Sequence, residues 1–142
     1  MRTVKQLLDE KGHDVASVAP SSPVIDALRL MAEHGIGALL VMDGPRLAGV
    51  MSERDYARKV VLQGRSSAET RVSDIMSSDV HTVTPEDSVN ACMLLMTRRR
   101  IRHLPVLENG EVTGVLSIGD LVKAVIADQQ EEISQLQQYI AG

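Results

Sequence analysis

The stretch Gly-Val-Met-Ser-Glu-Arg-Asp at residues 49–55 returns as Gly-Val-Leu-Ser-Ile-Gly-Asp at residues 114–120. At the same offset of 65 positions, residues 18–56 lie over residues 83–121 without a gap, and twelve of these 39 pairs are identical. Self-similarity at a fixed offset indicates one supersecondary unit that the chain uses twice. Each copy alone is small enough for its burial to be marginal, so we expect the two copies to pack together.

The composition of the 142-residue chain favours a soluble intracellular protein with an aliphatic core. The chain has no Phe or Trp and a net charge of −4, which argues against a platform for nucleic-acid bases. Residues 1–10 lack the apolar core of a signal peptide, and the longest apolar stretch, near residues 36–42, is too short to span a membrane. We therefore expect a cytoplasmic protein with no membrane partner. The single cysteine, Cys92, falls on an apolar helix stripe and is predicted to be buried.

Each repeat predicts an α+β unit of small sheets and helices. An extended segment comes first, at residues 15–19 and 80–84, and an amphipathic helix follows, with Ser22 and Asp87 as its N-cap candidates. A strand–turn–strand pair comes next. The serine of the repeated stretch then opens a second helix.

The polar linker at residues 64–70 predicts a first domain at residues 1–68 and a second at residues 69–142. The second domain ends in a long helix, from about Gly119 to Ile140. Its apolar positions keep a 3-4-3-4 spacing with one polar interruption, which is typical of a coiled-coil seam. The seam residues are Ile126, Gln129, Ile133, Leu136 and Ile140. This pattern favours a homodimer, and the alternative is a helix that packs on its own domain.

A serine at the start of a helix, with an aspartate three residues later, occurs as Ser52/Asp55 and as Ser117/Asp120. One interpretation is structural, because Ser-x-x-Asp is close to a capping box, and such a cap contributes about 1 kcal/mol. The other interpretation adds a ligand. A helix N-terminus attracts phosphate, and a carboxylate one turn later can accept hydrogen bonds from two ribose hydroxyls. The pair therefore suits a nucleoside phosphate.

Basic residues gather near this pair in the second copy. Arg102 and His103 lead into a strand, so we expect them near the cleft between the copies, where Arg can bind phosphate through two parallel bonds. Arg98, Arg99 and Arg100 come just before them. The simplest interpretation of this arginine cluster is a solvent-exposed charged face without a binding role. A nucleic-acid-binding surface is a further alternative.

The chain resembles a tandem pair of CBS domains, the modules named after cystathionine β-synthase. The resemblance rests on Arg-Arg-Ile-Arg-His-Leu-Pro-Val at 99–106, on the two glycine-to-aspartate stretches, and on Val-Ser-Asp-Ile-Met at 72–76. It covers roughly residues 4–128. It implies two β-α-β-β-α repeats packed with pseudo-two-fold symmetry around two clefts, plus the long C-terminal helix.

The resemblance also implies adenosine ligands, with AMP as the first choice and ADP, ATP, NAD or S-adenosylmethionine as alternatives. It assigns the ribose to Asp120 or Asp55 and the phosphate to Ser117 or Ser52. The other implied ligand-binding residues are Arg102, His103, Val80, Thr82, Ile101 and Pro105 for the second copy, and Val15, Ser17 and Ile36 for the first. Arg54, at the start of the helix that Ser52 opens, is a further ligand-binding candidate in the first copy.

These observations predict a stand-alone regulatory module that binds adenylate, changes conformation and acts on an unidentified target protein. We expect no enzymatic activity and no required cofactor or metal, since the sequence has no nucleophile–base pair, Walker loop or metal-ligand spacing. The alternatives are a homodimerisation module without a ligand and a nucleic-acid binder. The second copy is the stronger candidate site, because the first has Gly37 and Ala38 in place of Arg102 and His103.

Overall fold

A computed structural model describes residues 2–141 of the chain. These residues form two compact units. The first unit is Asp14–His81, and the second combines the residues up to His13 with those from Thr82 onward. The units thus differ in membership from the sequence halves 1–68 and 69–142: the N-terminal segment joins the second repeat, and the linker joins the first.

Small sheets and helices alternate in both units, which confirms the predicted α+β class. In chain order the elements are α1 (Val4–Lys11), β1 (Ser17–Val18), α2 (Val24–His34), β2 (Ala38–Asp43), β3 (Arg46–Ser52), α3 (Glu53–Tyr56), a π-helical turn (Ala57–Val61), α4 (Val72–Ile75), α5 (Val89–Arg99), β4 (His103–Glu108), β5 (Glu111–Ser117) and α6 (Ile118–Ala141).

The first unit packs α2 and α4 against a three-stranded sheet. β1 pairs in parallel with β2, and β2 pairs antiparallel with β3. α2 buries Val24, Ala27 and Met31, the face that the apolar spacing predicts. The helix ends at Gly35, whose φ of 62° lies in the left-handed region, as predicted for its C-cap.

The second unit repeats this arrangement with α5, β4 and β5. β4 and β5 pair in the register that β2 and β3 use, and both pairs shift register at the equivalent place. An isolated bridge from Val83 to Val106 stands where the first unit has β1, so the extended segment predicted at 80–84 forms no strand. Cys92 is fully buried on α5, as predicted. Arg100 ends α5 with a left-handed φ of 54°.

Each unit is completed by a short helix that precedes the other repeat along the chain. We call residues 2–8 and 70–76 the lead-in segments. The N–H of Val4 donates to the carbonyl of Asp87 at 2.8 Å, and the N–H of Val72 donates to that of Ser22 at the same distance. Two more pairs of hydrogen bonds match in the same way. The N–H of Lys5 donates to Pro85 and that of Ser73 to Pro20, while the N–H of Val89 donates to Arg2 and that of Val24 to Thr70.

The docking of the lead-in segments explains why both repeats keep a glycine in the returning strand. A Cβ added to Gly114 would lie 2.8 Å from the nearest methyl carbon of Leu8. A Cβ added to Gly49 would lie 2.7 Å from the Met76 sulfur and 2.7 Å from the Ser77 carbonyl oxygen. These distances are too short for non-bonded carbon contacts, so each helix can approach its strand only because no side chain stands there.

The predicted N-caps Ser22 and Asp87 are wrong. α2 starts after Pro23, which has no side-chain cap hydrogen bond, and Ser88 caps α5 by accepting from the N–H of Ala91 at 3.0 Å. Residues 22 and 87 lie one position too early for capping. Their backbone carbonyls accept the first N–H groups of the docked lead-in helices instead.

We expect Gly49→Ala to lower the free energy of unfolding by about 1–3 kcal/mol, the usual scale for overpacking a core. Gly114→Ala should cost less, because the Leu8 side chain can move whereas the Ser77 carbonyl is backbone. Gly119→Ala is the matched control, since its Cβ would meet nothing closer than 3.6 Å. Urea unfolding of the three variants measures the differences. Equal stability of Gly49→Ala and Gly119→Ala would contradict the close approach of α4.

Candidate ligand site

Both Ser-x-x-Asp pairs form reciprocal hydrogen bonds at the start of a helix. The Ser117 hydroxyl accepts from the N–H of Asp120 at 3.2 Å, and Asp120 Oδ2 accepts from the N–H of Ser117 at 2.8 Å. Ser52 and Asp55 make the same pair at 3.2 and 2.9 Å. The capping role therefore holds in both repeats. In each aspartate, the second carboxylate oxygen, Oδ1, takes no part in the cap.

Strand pairing brings the basic pair of the second repeat to the same place. His103 lies opposite Ser117 in the β4–β5 register. The carbonyl of Arg102 accepts from the N–H of Ile118 at 2.8 Å, while the Arg102 side chain is exposed. Arg102, His103, Ser117 and Asp120 therefore gather where β4 begins and β5 ends. The first repeat has the same backbone arrangement with glycine and alanine in the basic positions.

The predicted adenine-lining residues lie on several segments. Pro105 is buried in β4, and its carbonyl accepts from the N–H of Val83 at 3.1 Å. Thr82, the neighbour of Val83, is exposed. Ile101 is half-buried and packs against the core of the second unit. Val80 is half-buried and belongs to the first unit.

In the first unit, the structure brings Ser52 and Asp55 together. Ser17 is exposed on β1 opposite Leu40, and Ile36 follows the end of α2 with 36% of its surface exposed. Arg54 is exposed on α3. A ligand role for each of these residues stays a prediction.

Sequence reasoning missed the partner of Asp120. Lys11, in the last turn of α1, places its Nζ 2.6 Å from Asp120 Oδ2 and 2.7 Å from the carbonyl oxygen of Val115. The two residues are 109 positions apart. Only the docking of α1 on the second repeat brings them together, and local spacing around Asp120 carries no sign of it.

Asp120 is held in its charged form. Burial raises the pKa of its carboxyl, but the hydrogen bonds from Lys11 and Ser117 and the positive charge of Lys11 outweigh burial. The net result is a pKa below the ordinary value of 3.8. Asp120 is therefore a carboxylate at neutral pH, as an acceptor of hydroxyl hydrogen bonds must be.

The lysine beside Asp55 has a different origin. Lys59 lies four residues after Asp55, in the π-helical turn, with its Nζ 3.5 Å from Asp55 Oδ1. The same ammonium donates to the carbonyl of Ile75 in α4 at 2.8 Å. Both aspartates thus have an ammonium neighbour, but only Asp120 receives it from a distant segment.

A pocket of about 430 Å³ lies between α1 and α6, and Asp120 lines it. Its volume is within the range of small-molecule sites, about 300–1,000 Å³. Charged residues of both signs surround it: Arg2, Glu10, Lys11 and Lys123. Asp120 is the predicted site residue in this lining, and the remaining lining residues come from the N-terminal segment and α6.

The arginine cluster is exposed at the end of α5. Within residues 2–141, none of Arg98, Arg99, Arg100 and Arg102 forms a salt bridge. Cations near a helix C-terminus interact favourably with the helix dipole, which accounts for part of the clustering.

Cys92 has no part in this chemistry. Burial, reinforced by the charge of Asp87, raises the pKa of its thiol to about 11. The protonated thiol is a poor nucleophile, so the structural interpretation of this residue holds.

The CBS domain family profile matches residues 4–62 and 72–127, and the chain belongs to this family. Among curated proteins, it is 47% identical over 124 residues to the mitochondrial CBS domain-containing protein CBSX3 of Arabidopsis thaliana. That match covers 84% of this chain and 60% of the relative, so the chain spans less than two thirds of the relative's length.

Two solved structures illustrate the likeness in fold. A CBS-domain protein from Burkholderia ambifaria is 56% identical, with a TM-score of 0.87 over 90% of this chain and 96% of that chain. The CBS domain pair of protein MJ0100, solved with 5′-methylthioadenosine and S-adenosyl-L-methionine, is 21% identical. Its TM-score is 0.78 over 90% of this chain and 98% of that one, and at this identity the likeness concerns the fold alone.

CBS pair proteins are regulatory modules, which agrees with the predicted class of function. Within residues 2–141 no helix is long and apolar enough to cross a membrane. The name of the Arabidopsis relative places that protein in mitochondria, so the cytoplasmic location of this chain stays a prediction.

Proposed function

We propose that this chain is a regulatory module that binds an adenosine nucleotide at Asp120 and Ser117. AMP is the first candidate, with ADP, ATP and NAD as alternatives. The observation that carries the proposal is the gathering of a hydroxyl, an ionised carboxylate and the Arg102–His103 step where β5 meets α6. The MJ0100 complex supports it to the extent that the same fold can hold adenosine compounds.

The capping box and the ligand role are compatible. In the described chain, the hydrogen bonds of the Asp120 carboxylate all fall on Oδ2. Oδ1 is therefore available to a ribose hydroxyl, while the cap fixes the direction of the carboxylate. The N-terminus of α6 and the Arg102 side chain supply the positive potential that a phosphate requires, and the Ser117 hydroxyl can donate a hydrogen bond to it.

Calorimetric titration with AMP, ADP, ATP and NAD tests the proposal. We expect at least one adenylate to bind, and Asp120→Ala to weaken that binding by about 1–3 kcal/mol, the scale of hydrogen bonds to a charged group. Asp120→Asn keeps an acceptor for the Ser117 cap, so it separates the ligand effect from loss of the helix start. Asp74→Ala is the matched control, because Asp74 accepts from the N–H of Arg71 at 3.3 Å at the start of α4 and lies outside both Ser-x-x-Asp pairs.

Thermal unfolding shows whether each variant is folded at the temperature of the titration. The proposal fails if no adenylate produces heat or a thermal shift with the wild-type protein. An unchanged dissociation constant in both Asp120 variants would remove the ribose role alone.

We further propose that two copies of the chain associate through the seam of α6. This helix runs to Ala141, and its last turns expose the apolar residues that the heptad spacing aligns. The exposed fraction is 48% at Ile126, 54% at Ile133, 61% at Leu136 and 82% at Ile140. A second copy presents the same seam, so a symmetric pairing would cover these side chains without another partner.

Light scattering after size-exclusion chromatography measures this association. We expect wild-type protein to be dimeric at micromolar concentration and Leu136→Glu to be monomeric, because a buried unpaired charge opposes pairing. Leu62→Glu is the control, since Leu62 is 76% exposed and lies outside the seam. A monomeric wild-type protein, or a dimer that both variants leave intact, would contradict the seam.

A further inference from the structure

The C-terminal end of α1 is fastened to the carboxylate of the candidate site. Lys11 bridges Asp120 Oδ2, at 2.6 Å, and the Val115 carbonyl, at 2.7 Å. The side chains are 34% and 20% exposed, respectively, so water screens this pair less than an ordinary surface ion pair. Two short charge-assisted hydrogen bonds thus join the N-terminal segment to the place where β5 becomes α6.

Both lone-pair directions of Asp120 Oδ2 are already occupied by donors. A carboxylate oxygen has two lone-pair directions, and Asp120 Oδ2 accepts from the Ser117 N–H and from Lys11 Nζ. A ribose that donates from two adjacent hydroxyls engages both carboxylate oxygens. In that geometry the ribose competes for Oδ2 with the two donors already there.

Lys11 is the donor that can leave. The Ser117 N–H is fixed in the backbone at the end of β5, and its loss would open the start of α6. The Lys11 ammonium sits on a flexible four-carbon stem and borders an open pocket into which it can turn. A second anion, Glu10, lines the same pocket.

The first repeat lacks this arrangement. Lys59 comes from the helical segment that also carries Asp55, and it approaches Oδ1 at 3.5 Å rather than Oδ2. Displacing Lys59 from Asp55 would therefore release no remote segment from that carboxylate.

We propose that Lys11 competes with the ribose for Asp120, so that ligand binding detaches the end of α1 from the second repeat. This inference rests on the proposed adenylate site and adds its means of regulation. The rest of α1 stays docked through the backbone bonds of Val4 and Lys5 and through Leu8. The released part is the last turn of α1 with Gly12 and His13, and its release also breaks the 2.8 Å hydrogen bond between His13 Nδ1 and the Thr113 carbonyl in β5. A target protein could sense ligand occupancy there. A ligand shifts this equilibrium only by its differential affinity for the two states.

Titration of AMP into wild-type protein, Lys11→Met and Lys5→Met tests the competition. Methionine keeps the length of the stem and removes the ammonium. We expect Lys11→Met to bind AMP about fivefold more tightly or better, the lower end of typical coupling between sites. Lys5→Met should match the wild type, because Lys5 is exposed on the same helix and forms no salt bridge within residues 2–141.

The outcomes separate this inference from the proposed function. If Lys11→Met binds AMP no more tightly than the wild type, the competition is wrong while the adenylate site stands. If neither protein binds AMP, ADP, ATP or NAD, both proposals are wrong.

Hydrogen exchange of the wild-type chain supplies a second readout that needs no variant. The Gly12 N–H donates to the Leu8 carbonyl at 2.7 Å and reports on the end of α1. We expect AMP to raise the exchange rate of Gly12 severalfold while the amides of β5 exchange no faster. Slower or unchanged exchange at Gly12 on saturation with AMP would overturn the detachment of α1.

Discussion

The docking of each lead-in segment on a strand that has no side chain at one position is the constraint on which both units depend. Leu8 lies over Gly114 and Met76 lies over Gly49. The returning strand of each repeat is therefore covered by the lead-in segment that precedes the other repeat along the chain. Val4, Leu7 and Leu8 belong to the buried core of the second unit, and Val72 and Ile75 belong to that of the first. The first unit takes its covering helix from the segment that follows its own repeat, whereas the second unit takes it from the start of the chain.

The same docking determines the chemistry of the candidate site. Because α1 belongs to the second unit, its last turn ends beside Asp120 and delivers a lysine there. In the first unit the docked helix α4 offers a backbone carbonyl to Lys59 instead. The two repeats share the hydroxyl–carboxylate pair. They differ in the segment that supplies the lysine beside the carboxylate, and therefore in the segment that would move if that lysine left. This difference, added to Arg102 and His103 in the second repeat alone, makes the two sites chemically distinct.

The sequence predicted the elements whose signals are local. The duplicated stretch marked a strand that ends in a helix-opening serine, and the capping boxes at Ser52 and Ser117 form as expected. Gly35 ends α2, and Cys92 is buried, because each follows from spacing within one helix. The caps at Ser22 and Asp87 were wrong because a shift of one residue in a helix start decides which side chain can reach the free N–H groups. The extended segment at 80–84 forms only a bridge, since a parallel pairing depends on a partner strand far along the chain.

Lys11 was beyond sequence reasoning for a related reason. The sequence does not say on which repeat each lead-in segment docks. For α1, that choice is made by long-range packing of Leu8 and by backbone hydrogen bonds across eighty or more residues.

Native-state hydrogen exchange of the full-length Leu8→Ala variant tests the crossed docking most directly. Truncating a buried leucine costs about 2–5 kcal/mol. The account predicts that the amides of β4 and β5 lose protection, while those of β2 and β3, which follow Leu8 more closely in sequence, lose much less. A loss concentrated in β2 and β3, or shared equally by both strand pairs, would contradict it.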